Sequence, residues 1–474
     1  MKLYPVSFFL WQSASSLASQ TGCKLPLARV KRPLEFDQNS QSLPEERNRS
    51  TSISILDRND YAYIVNVSVG AQSFPLTLDT GSSDLWVISN ECKTTDCSNV
   101  ARYSRSFSLN LSLTQMPFRI DYISGSVSGL VASETISLGP YRLISQVFGL
   151  ANSTEGISFA REGNSGILGL TFPSEASMIG TNFLQNVFTA LTDPYFTIVL
   201  GSSLDPNSSS SFTLGQIDDS RASSLFDFFK IPVSKAGAND YTYWKIPLLY
   251  LTINSTRLSL SPSSVQGVQG SQIAVLDTGT TLALGPTRDV QAFWVSVGSA
   301  ARNDPMTGLW QVRCEKAITV GFVLGPEDSS HEFALDPADV NWEEGGSNNG
   351  WCLGGIQASD EVDSGDWLLG DVFLRNVYSL YHGANSSSGP WIGLISTTDS
   401  DSALIEFRQK RGPDLGASSS PAIQLHSTTV SPYVRHKLLY AISTLCGFIG
   451  GVVFTTLFRA RHGISGTFRK RKQK

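Results

Sequence analysis

The tripeptide Asp-Thr-Gly occurs twice, at Asp79-Thr80-Gly81 and Asp277-Thr278-Gly279, each time at the end of an apolar run. Phe74-Pro75-Leu76-Thr77-Leu78 precedes the first copy and Ile273-Ala274-Val275-Leu276 the second, and both runs read as buried β-strands. Hydroxyl residues follow, Ser82-Ser83 and Thr280-Thr281. Taken singly, either Asp reads as a turn or capping residue. One carboxylate delivered in the same setting from each half of the chain points instead to a paired-carboxylate site.

A chain of 474 residues has room for two or three domains with large cores. Abundant Gly and Ser, with only 16% charged residues, favours short strands joined by tight turns. The formal net charge of −5 averages three regimes. Residues 58–407 hold 17 Lys and Arg against 35 Asp and Glu, a net of −18. Lys24 to Arg32 holds 4 bases and no acid, and Arg459 to Lys474 holds 7 bases and no acid. An acidic body does not attract nucleic acid. It suits work at low pH, where protonation relieves carboxylate repulsion.

Of six cysteines, Cys23 sits near the N-terminus and Cys446 in an apolar C-terminal run. Cys92 with Cys97, and Cys314 with Cys352, make one local disulfide per half the simplest pairing. Zinc is the alternative, but no further Cys or His stands at ligand spacing, and no metal or cofactor is expected. Seven Asn-x-Ser/Thr sequons (Asn48, Asn66, Asn110, Asn152, Asn207, Asn254 and Asn385) fit a glycoprotein of the secretory pathway. Asn66, within a strand-like run, fits least well.

The ends carry targeting signals. Residues 1–18 read as a signal peptide closing on Ser16-Leu17-Ala18. Residues 24–57 are polar, basic and then mixed, with no sustained periodicity, and 19–57 read as a pro-segment, with Lys31-Arg32 as a candidate cleavage site ahead of Pro33. Such a strip against an acidic body would block it at neutral pH and let go in acid. The body divides into lobes at 58–225 and 226–408. Strands are expected at Tyr61 to Val69, Leu85 to Ile88, Val147 to Leu150, Phe196 to Leu200 and Ile246 to Ile253. The best helical patterns are Phe183 to Leu191 and Asp289 to Val297. Stretches 202–211, 261–271 and 345–350 read as surface loops. Residues 409–437 read as a Ser/Pro/Thr-rich stalk. Leu438 to Phe458, 21 residues without a charge, are long enough to span a bilayer ahead of the basic tail 459–474. A GPI signal is the alternative reading. The 16 residues after Phe458 favour a single-pass helix.

Two close carboxylates hydrolyse peptide bonds without a covalent intermediate when they share one proton. Both cannot ionise easily, so the anionic member takes a proton from water while the protonated member donates to the carbonyl oxygen. Gly81 and Gly279 would let backbone approach closely. Thr80 and Thr278 hydroxyls would bond across the loops, and Ser82 and Thr280 would hold the outer carboxylate oxygens.

These residues resemble the pepsin-like aspartic proteases. Asp79-Thr80-Gly81-Ser82-Ser83-Asp84-Leu85-Trp86-Val87 resembles that family's first active-site motif, and Asp277-Thr278-Gly279-Thr280-Thr281 its second. Ile120-Asp121-Tyr122-Ile123-Ser124-Gly125-Ser126 resembles the flap hairpin, with Tyr122 as flap tyrosine, Trp86 as its indole partner, and Gly125 and Ser126 beside it. Ser165-Gly166-Ile167-Leu168-Gly169-Leu170 and Trp367-Leu368-Leu369-Gly370-Asp371-Val372-Phe373-Leu374 resemble the segments that complete each active-site loop. The resemblance covers residues 58–408. It implies a mainly β, bilobal fold with the cleft between two lobes, protein or peptide substrates, acid-pH endopeptidase activity and a monomer. Ile123 stands where the family often has Gly, and Tyr381-His382 replaces a common Phe-Asp. The anchor is similar to that of membrane-attached fungal members, with the body extracellular or luminal. The rival reading is an inactive, membrane-tethered binding glycoprotein. A Ser-His-Asp site is disfavoured, since neither His331 nor His382 has a nucleophile motif.

Overall fold

The computed structural model describes residues 22–31, 61–123, 125–157, 163–201, 209–235, 240–265, 270–362 and 364–412. The signal peptide, most of the pro-segment, Arg32, Ser124, Asn48, Asn207, Cys446 and the segments 413–437, 438–458 and 459–474 lie outside the described residues.

One strand arrangement appears twice. In the first half, Gln72–Asp79 pairs antiparallel with Tyr61–Val69 and parallel with Gly166–Gly169, which is also antiparallel to Leu85–Ile88. In the second half, Gln272–Leu276 pairs antiparallel with Lys245–Ile253 and parallel with Trp367–Leu369, which is also antiparallel to Ala283–Gly285. Each Asp-Thr-Gly therefore follows the same central strand of the same motif. These strands are covered on both faces, which is why they read as continuous apolar runs: Leu76, Leu78, Ala274, Val275 and Leu276 are fully buried. Each such aliphatic side chain larger than Ala contributes about 1.5–3 kcal/mol.

A further run of strands joins the halves, in the order Phe229–Pro232, Trp391–Ser396, Val377–His382, Tyr195–Val199, Ser210–Leu214, Cys23–Lys31. Tyr381 stacks on Phe196 with ring centroids 4.6 Å apart. His382 Nε2 lies 3.0 Å from Asp193 Oδ1, and its ring stacks on Trp391 at 4.8 Å. The Tyr381-His382 departure thus sits in the seam between the halves.

The strands and the two helices lie where the sequence places them, within two residues, except that Val147 to Leu150 is only the middle of the strand Tyr141–Glu155. Phe183–Ala190 begins at Asn182, whose Oδ1 accepts the Gln185 N–H at 2.9 Å, and buries Phe183, Leu184 and Val187 on one face. Thr287–Val297 buries Val290, Phe293 and Trp294.

Four expectations need correction. The stretch 202–211 is not a loop at its end, since Ser210 and Ser211 open the strand Ser210–Leu214, and residues 202–208 lie outside the described residues. Cys23–Lys31, read as part of a segment without periodicity, is a strand paired with Ser210–Leu214 and Tyr61–Val69. Its backbone pairing comes from two partners distant in sequence, and Lys24 Nζ reaches Asp218 Oδ2 at 2.6 Å. The stretch 345–350 is not a loop throughout. Asn341–Asn348 is a strand that returns as Trp351–Gly354 through a turn at Asn349 and Gly350, both at positive φ (52° and 77°), the conformation an Asn-Gly hairpin favours. The stalk does not begin at 409, because the helix Ser400–Arg411 continues through it. Asp399 caps that helix, Ala403 and Phe407 anchor it, and Arg408, Lys410 and Arg411 suit its C-terminal dipole.

The Cys92–Cys97 and Cys314–Cys352 disulfides are both formed. Asn66, Asn110, Asn152, Asn254 and Asn385 are exposed; Asn66 points outward from its strand. Among the described residues no helix is long and apolar enough to cross a membrane.

Candidate active site

Asp79 and Asp277 are both buried, 5% and 7% exposed. The two carboxylates are bonded alike. Asp79 Oδ1 accepts the Gly81 N–H and Asp277 Oδ1 the Gly279 N–H, both at 2.8 Å. Asp79 Oδ2 accepts the Ser82 hydroxyl, and Asp277 Oδ2 accepts the Thr280 hydroxyl at 2.6 Å. A Cβ built on Gly81 would lie 2.5 Å from the Asp277 carboxyl, and one on Gly279 would lie 2.5 Å from Asp79 Oδ1. Each loop passes against the other's carboxylate at a distance only glycine allows. The Oδ1 atoms therefore face inward and the hydroxyl-bonded Oδ2 atoms outward.

The threonines tie the loops together. Thr80 Oγ1 donates to the Leu276 carbonyl at 2.8 Å and accepts the Thr278 N–H at 3.0 Å. Thr278 Oγ1 donates to the Leu78 carbonyl at 2.7 Å and accepts the Thr80 N–H at 3.1 Å. The closing segments complete each loop. Leu170 N–H donates to the Asp79 carbonyl at 2.8 Å and Thr171 N–H to the Ser82 carbonyl at 2.9 Å; Asp371 N–H donates to the Thr280 carbonyl at 2.9 Å.

Burial, then the charge of Asp277, raises the Asp79 carboxyl well above the ordinary aspartate range, against the opposing pull of Ser82 and the Gly81 N–H. One proton is thereby retained where an isolated aspartate would have lost it. This is the electrostatic condition for a general acid beside a general base.

A hairpin of Ser112–Tyr122 and Gly125–Leu138, with Tyr122 paired to Gly125 and Asp121 to buried Ser126, brings the Tyr122 side chain within the influence of Asp79 and Ser82. Trp86 Nε1 donates to the Tyr122 hydroxyl at 2.8 Å. Burial, and then the Asp79 charge, hold the Tyr122 proton on. Ile123 at the turn is 46% exposed.

The family model for eukaryotic aspartyl proteases matches residues 61–390. The chain belongs to the eukaryotic aspartyl protease family. An aspartic protease of Phaffia rhodozyma is 29% identical over 373 residues, covering 77% of this chain and 84% of that protein. Gastricsin of Callithrix jacchus is 29% identical over 415 residues, covering 82% and 99%. Pepsin A of Sus scrofa is 28% identical over 334 residues, covering 70% and 80%. The eukaryotic aspartyl protease match spans both Asp-Thr-Gly loops, the hairpin, both closing segments and both disulfides.

Three supporting roles escaped the sequence reading, one of them that of Asp84 within the first motif. Asp84 is buried and accepts the Ser177 and Met178 N–H groups at 2.7 and 3.3 Å, so it orders the turn that follows the first closing segment. Asn182 donates to the Ser83 hydroxyl at 2.7 Å while capping its helix. Trp244 Nε1 donates to the Leu170 carbonyl at 2.9 Å, so a second-half residue steadies a first-half segment. Only Asp84 carried a signal, an acid set directly before the apolar run Leu85 to Ile88.

Proposed function

We propose that this chain is an acid endopeptidase that hydrolyses peptide bonds in proteins with Asp79 and Asp277 as one catalytic unit. The observation that carries this reading is the matched bonding of two buried carboxylates across a loop contact that excludes any side chain but hydrogen. Water held between the inner oxygens loses a proton to the anionic carboxylate and attacks the scissile carbonyl. The protonated carboxyl donates to the developing oxyanion. The transferred proton then serves the leaving amine, and no covalent intermediate forms. Ser82 and Thr280 donate to the outer oxygens and favour the ionised forms. Tyr122 closes over the substrate from the hairpin, oriented by Trp86.

Residues 19–57 act as a pro-segment whose Cys23–Lys31 strand occupies a place in the sheet until activation. The uncharged run 438–458 and the basic tail support a membrane tether, with the peptidase body extracellular or luminal in the secretory pathway. The body works as a monomer, without metal or cofactor.

The test is cleavage of a heat-denatured protein at pH 4 by purified chain freed of the pro-segment 19–57, with new N-termini sequenced. Internal cleavage by wild type and none by Asp79→Asn supports the reading. Equal cleavage by both, or none by wild type from pH 2.5 to 6, overturns it. Release from membranes by alkaline carbonate would refute the tether.

A further inference from the structure

In the second half, four short strands form a separate sheet in the order Ala301–Asn303, Trp310–Arg313, Trp351–Gly354, Asn341–Asn348. Trp351 carries two guanidinium groups, Arg302 Cζ and Arg313 Cζ, each 4.2 Å from its ring centroid. Strand register explains the meeting. Arg313 is directly opposite Trp351, and Arg302 is opposite Gln311, two residues from Arg313 on the same face. Arg302 Nε and Nη2 both donate to Gln311 Oε1, at 2.9 and 2.8 Å, and Arg313 Nη1 donates to the Asn349 carbonyl at 3.4 Å. Arg302 is exposed, and Arg313 and Trp351 are half-buried.

Some arginines of this acidic body have a carboxylate partner. Elsewhere Arg375 meets Asp339 at 2.6 Å, Arg105 meets Glu91 at 2.9 Å and Arg119 meets Asp121 at 2.6 Å. Residues 58–407 hold 35 Asp and Glu. Yet among the described residues no carboxylate comes within 4.0 Å of Arg302 or Arg313. Two like charges on one indole repel each other. Each gains only about 0.5–1 kcal/mol from the ring at an exposed site. An anion relieves that repulsion, and stacking holds both planar forks ready to donate paired N–H groups to it.

We propose that the Arg302–Trp351–Arg313 stack binds an acidic segment of polypeptide, presenting carboxylates or phosphoserine, and so selects protein substrates that carry one. The choice of polypeptide as partner rests on the peptidase reading; the anion site does not. Arginine as a residue type stays cationic throughout the acid range, so the ligand's own charge sets the pH dependence. Glutamate ligands lose theirs near pH 4, whereas phosphoserine keeps at least one negative charge, so the two ligands separate as pH falls.

The probe is a fluorescent peptide bearing four consecutive Glu, with a four-Gln control, titrated against the full chain carrying Asp79→Asn at pH 6 and low salt. Anisotropy is expected to show at least tenfold tighter binding of the Glu peptide. Arg302→Gln/Arg313→Gln should abolish that preference, and Arg302→Lys/Arg313→Lys should retain only part of it. Raising salt to 0.5 M should weaken binding. With Asp79 intact, turnover of a short neutral peptide should be unchanged in the double variant. If the double variant does not fold, exposed Arg302→Gln alone should cost about threefold in Glu-peptide binding. Equal binding of Glu and Gln peptides, or an unchanged preference in the variants, overturns the proposal. Loss of neutral-peptide turnover in wild type with the Glu preference intact would sink the peptidase reading and leave the anion site standing.

Discussion

Thr80 and Thr278 exchange hydrogen bonds across the two Asp-Thr-Gly loops, each hydroxyl accepting the other residue's backbone N–H, at 3.0 and 3.1 Å. Each also donates to a carbonyl of the opposite loop, at 2.8 and 2.7 Å. All four groups are buried, so the bonds are shielded from competing water. Thr80→Val keeps the shape but leaves the Thr278 N–H and the Leu276 carbonyl unpaired, at about 1–3 kcal/mol each. Thermal unfolding should show a loss of several degrees, and kcat should fall at least tenfold as the carboxylates lose alignment. Thr80→Ser, which retains the hydroxyl, should recover most of both. Val and Ser variants of equal stability and activity would speak against the tie.

The Trp86–Tyr122 bond should separate binding from stability. Tyr122→Phe removes the 2.8 Å bond between them but keeps the ring in the hairpin. We expect kcat/KM to fall about tenfold, while the unfolding midpoint moves by no more than the loss of one bond, about 1 kcal/mol. Steady-state kinetics beside a denaturant curve reads both quantities.

Asp79 also imposes a pH dependence on stability. Its carboxyl is raised in the folded state, first by burial and then by Asp277. A raised acid binds its proton more tightly folded than unfolded, so this contribution is complete below the unfolded value of about 3.9 and is lost as pH rises through the folded value. Wild-type Tm should decline above pH 4, and Asp79→Asn should flatten that decline. Parallel profiles of Tm against pH would contradict the assignment.

Asp218 works in the opposite sense. Burial pushes it up, but the Lys24 ammonium at 2.6 Å and the Ser220 hydroxyl and N–H outweigh this and hold it below the usual range. Its contribution is present above about pH 3.9 and is lost as pH falls through the lowered folded value. Lys24 is 46% exposed, so the pair is worth under about 1 kcal/mol. Hydrogen exchange over residues 22–31, corrected for the intrinsic rate at each pH, should lose protection between pH 4 and pH 2.5. Lys24→Gln should show the lower protection already at pH 6.

The two disulfides should differ in value. Cys314–Cys352 closes a sequence separation of 38 and Cys92–Cys97 one of 5. Chain-entropy arguments give about 4 kcal/mol for the first and about 2 for the second. Denaturation of the Cys314→Ala/Cys352→Ala and Cys92→Ala/Cys97→Ala variants gives the comparison.

Those features written in local pattern were legible in the sequence. The runs before Asp79 and Asp277 are buried on both faces and therefore continuously apolar. Helices such as Phe183–Ala190 announce themselves by spacing. The Thr80–Thr278 tie followed from duplication, since whatever holds one loop has a counterpart on the other. What stayed hidden depends on distant partners. Cys23–Lys31 is a strand because Ser210–Leu214 and Tyr61–Val69 offer edges to it, and its own residues alternate too weakly to say so. Trp244 supports Leu170 across 74 positions, a contact no local motif encodes. The Asn349-Gly350 turn was readable in principle, but the Gly-Ser-Asn composition around it masked the flanking strand.

The central claim is that Asp79 and Asp277 act as one unit, and its most direct test is a double-mutant cycle. Initial rates of peptide hydrolysis at pH 4 would be measured for Asp79→Asn, Asp277→Asn and the double variant, each shown folded by circular dichroism. The account predicts that each single change lowers kcat at least about a thousandfold and that the double change lowers it no further. A single variant retaining a tenth of wild-type activity, or two losses that multiply, would contradict it.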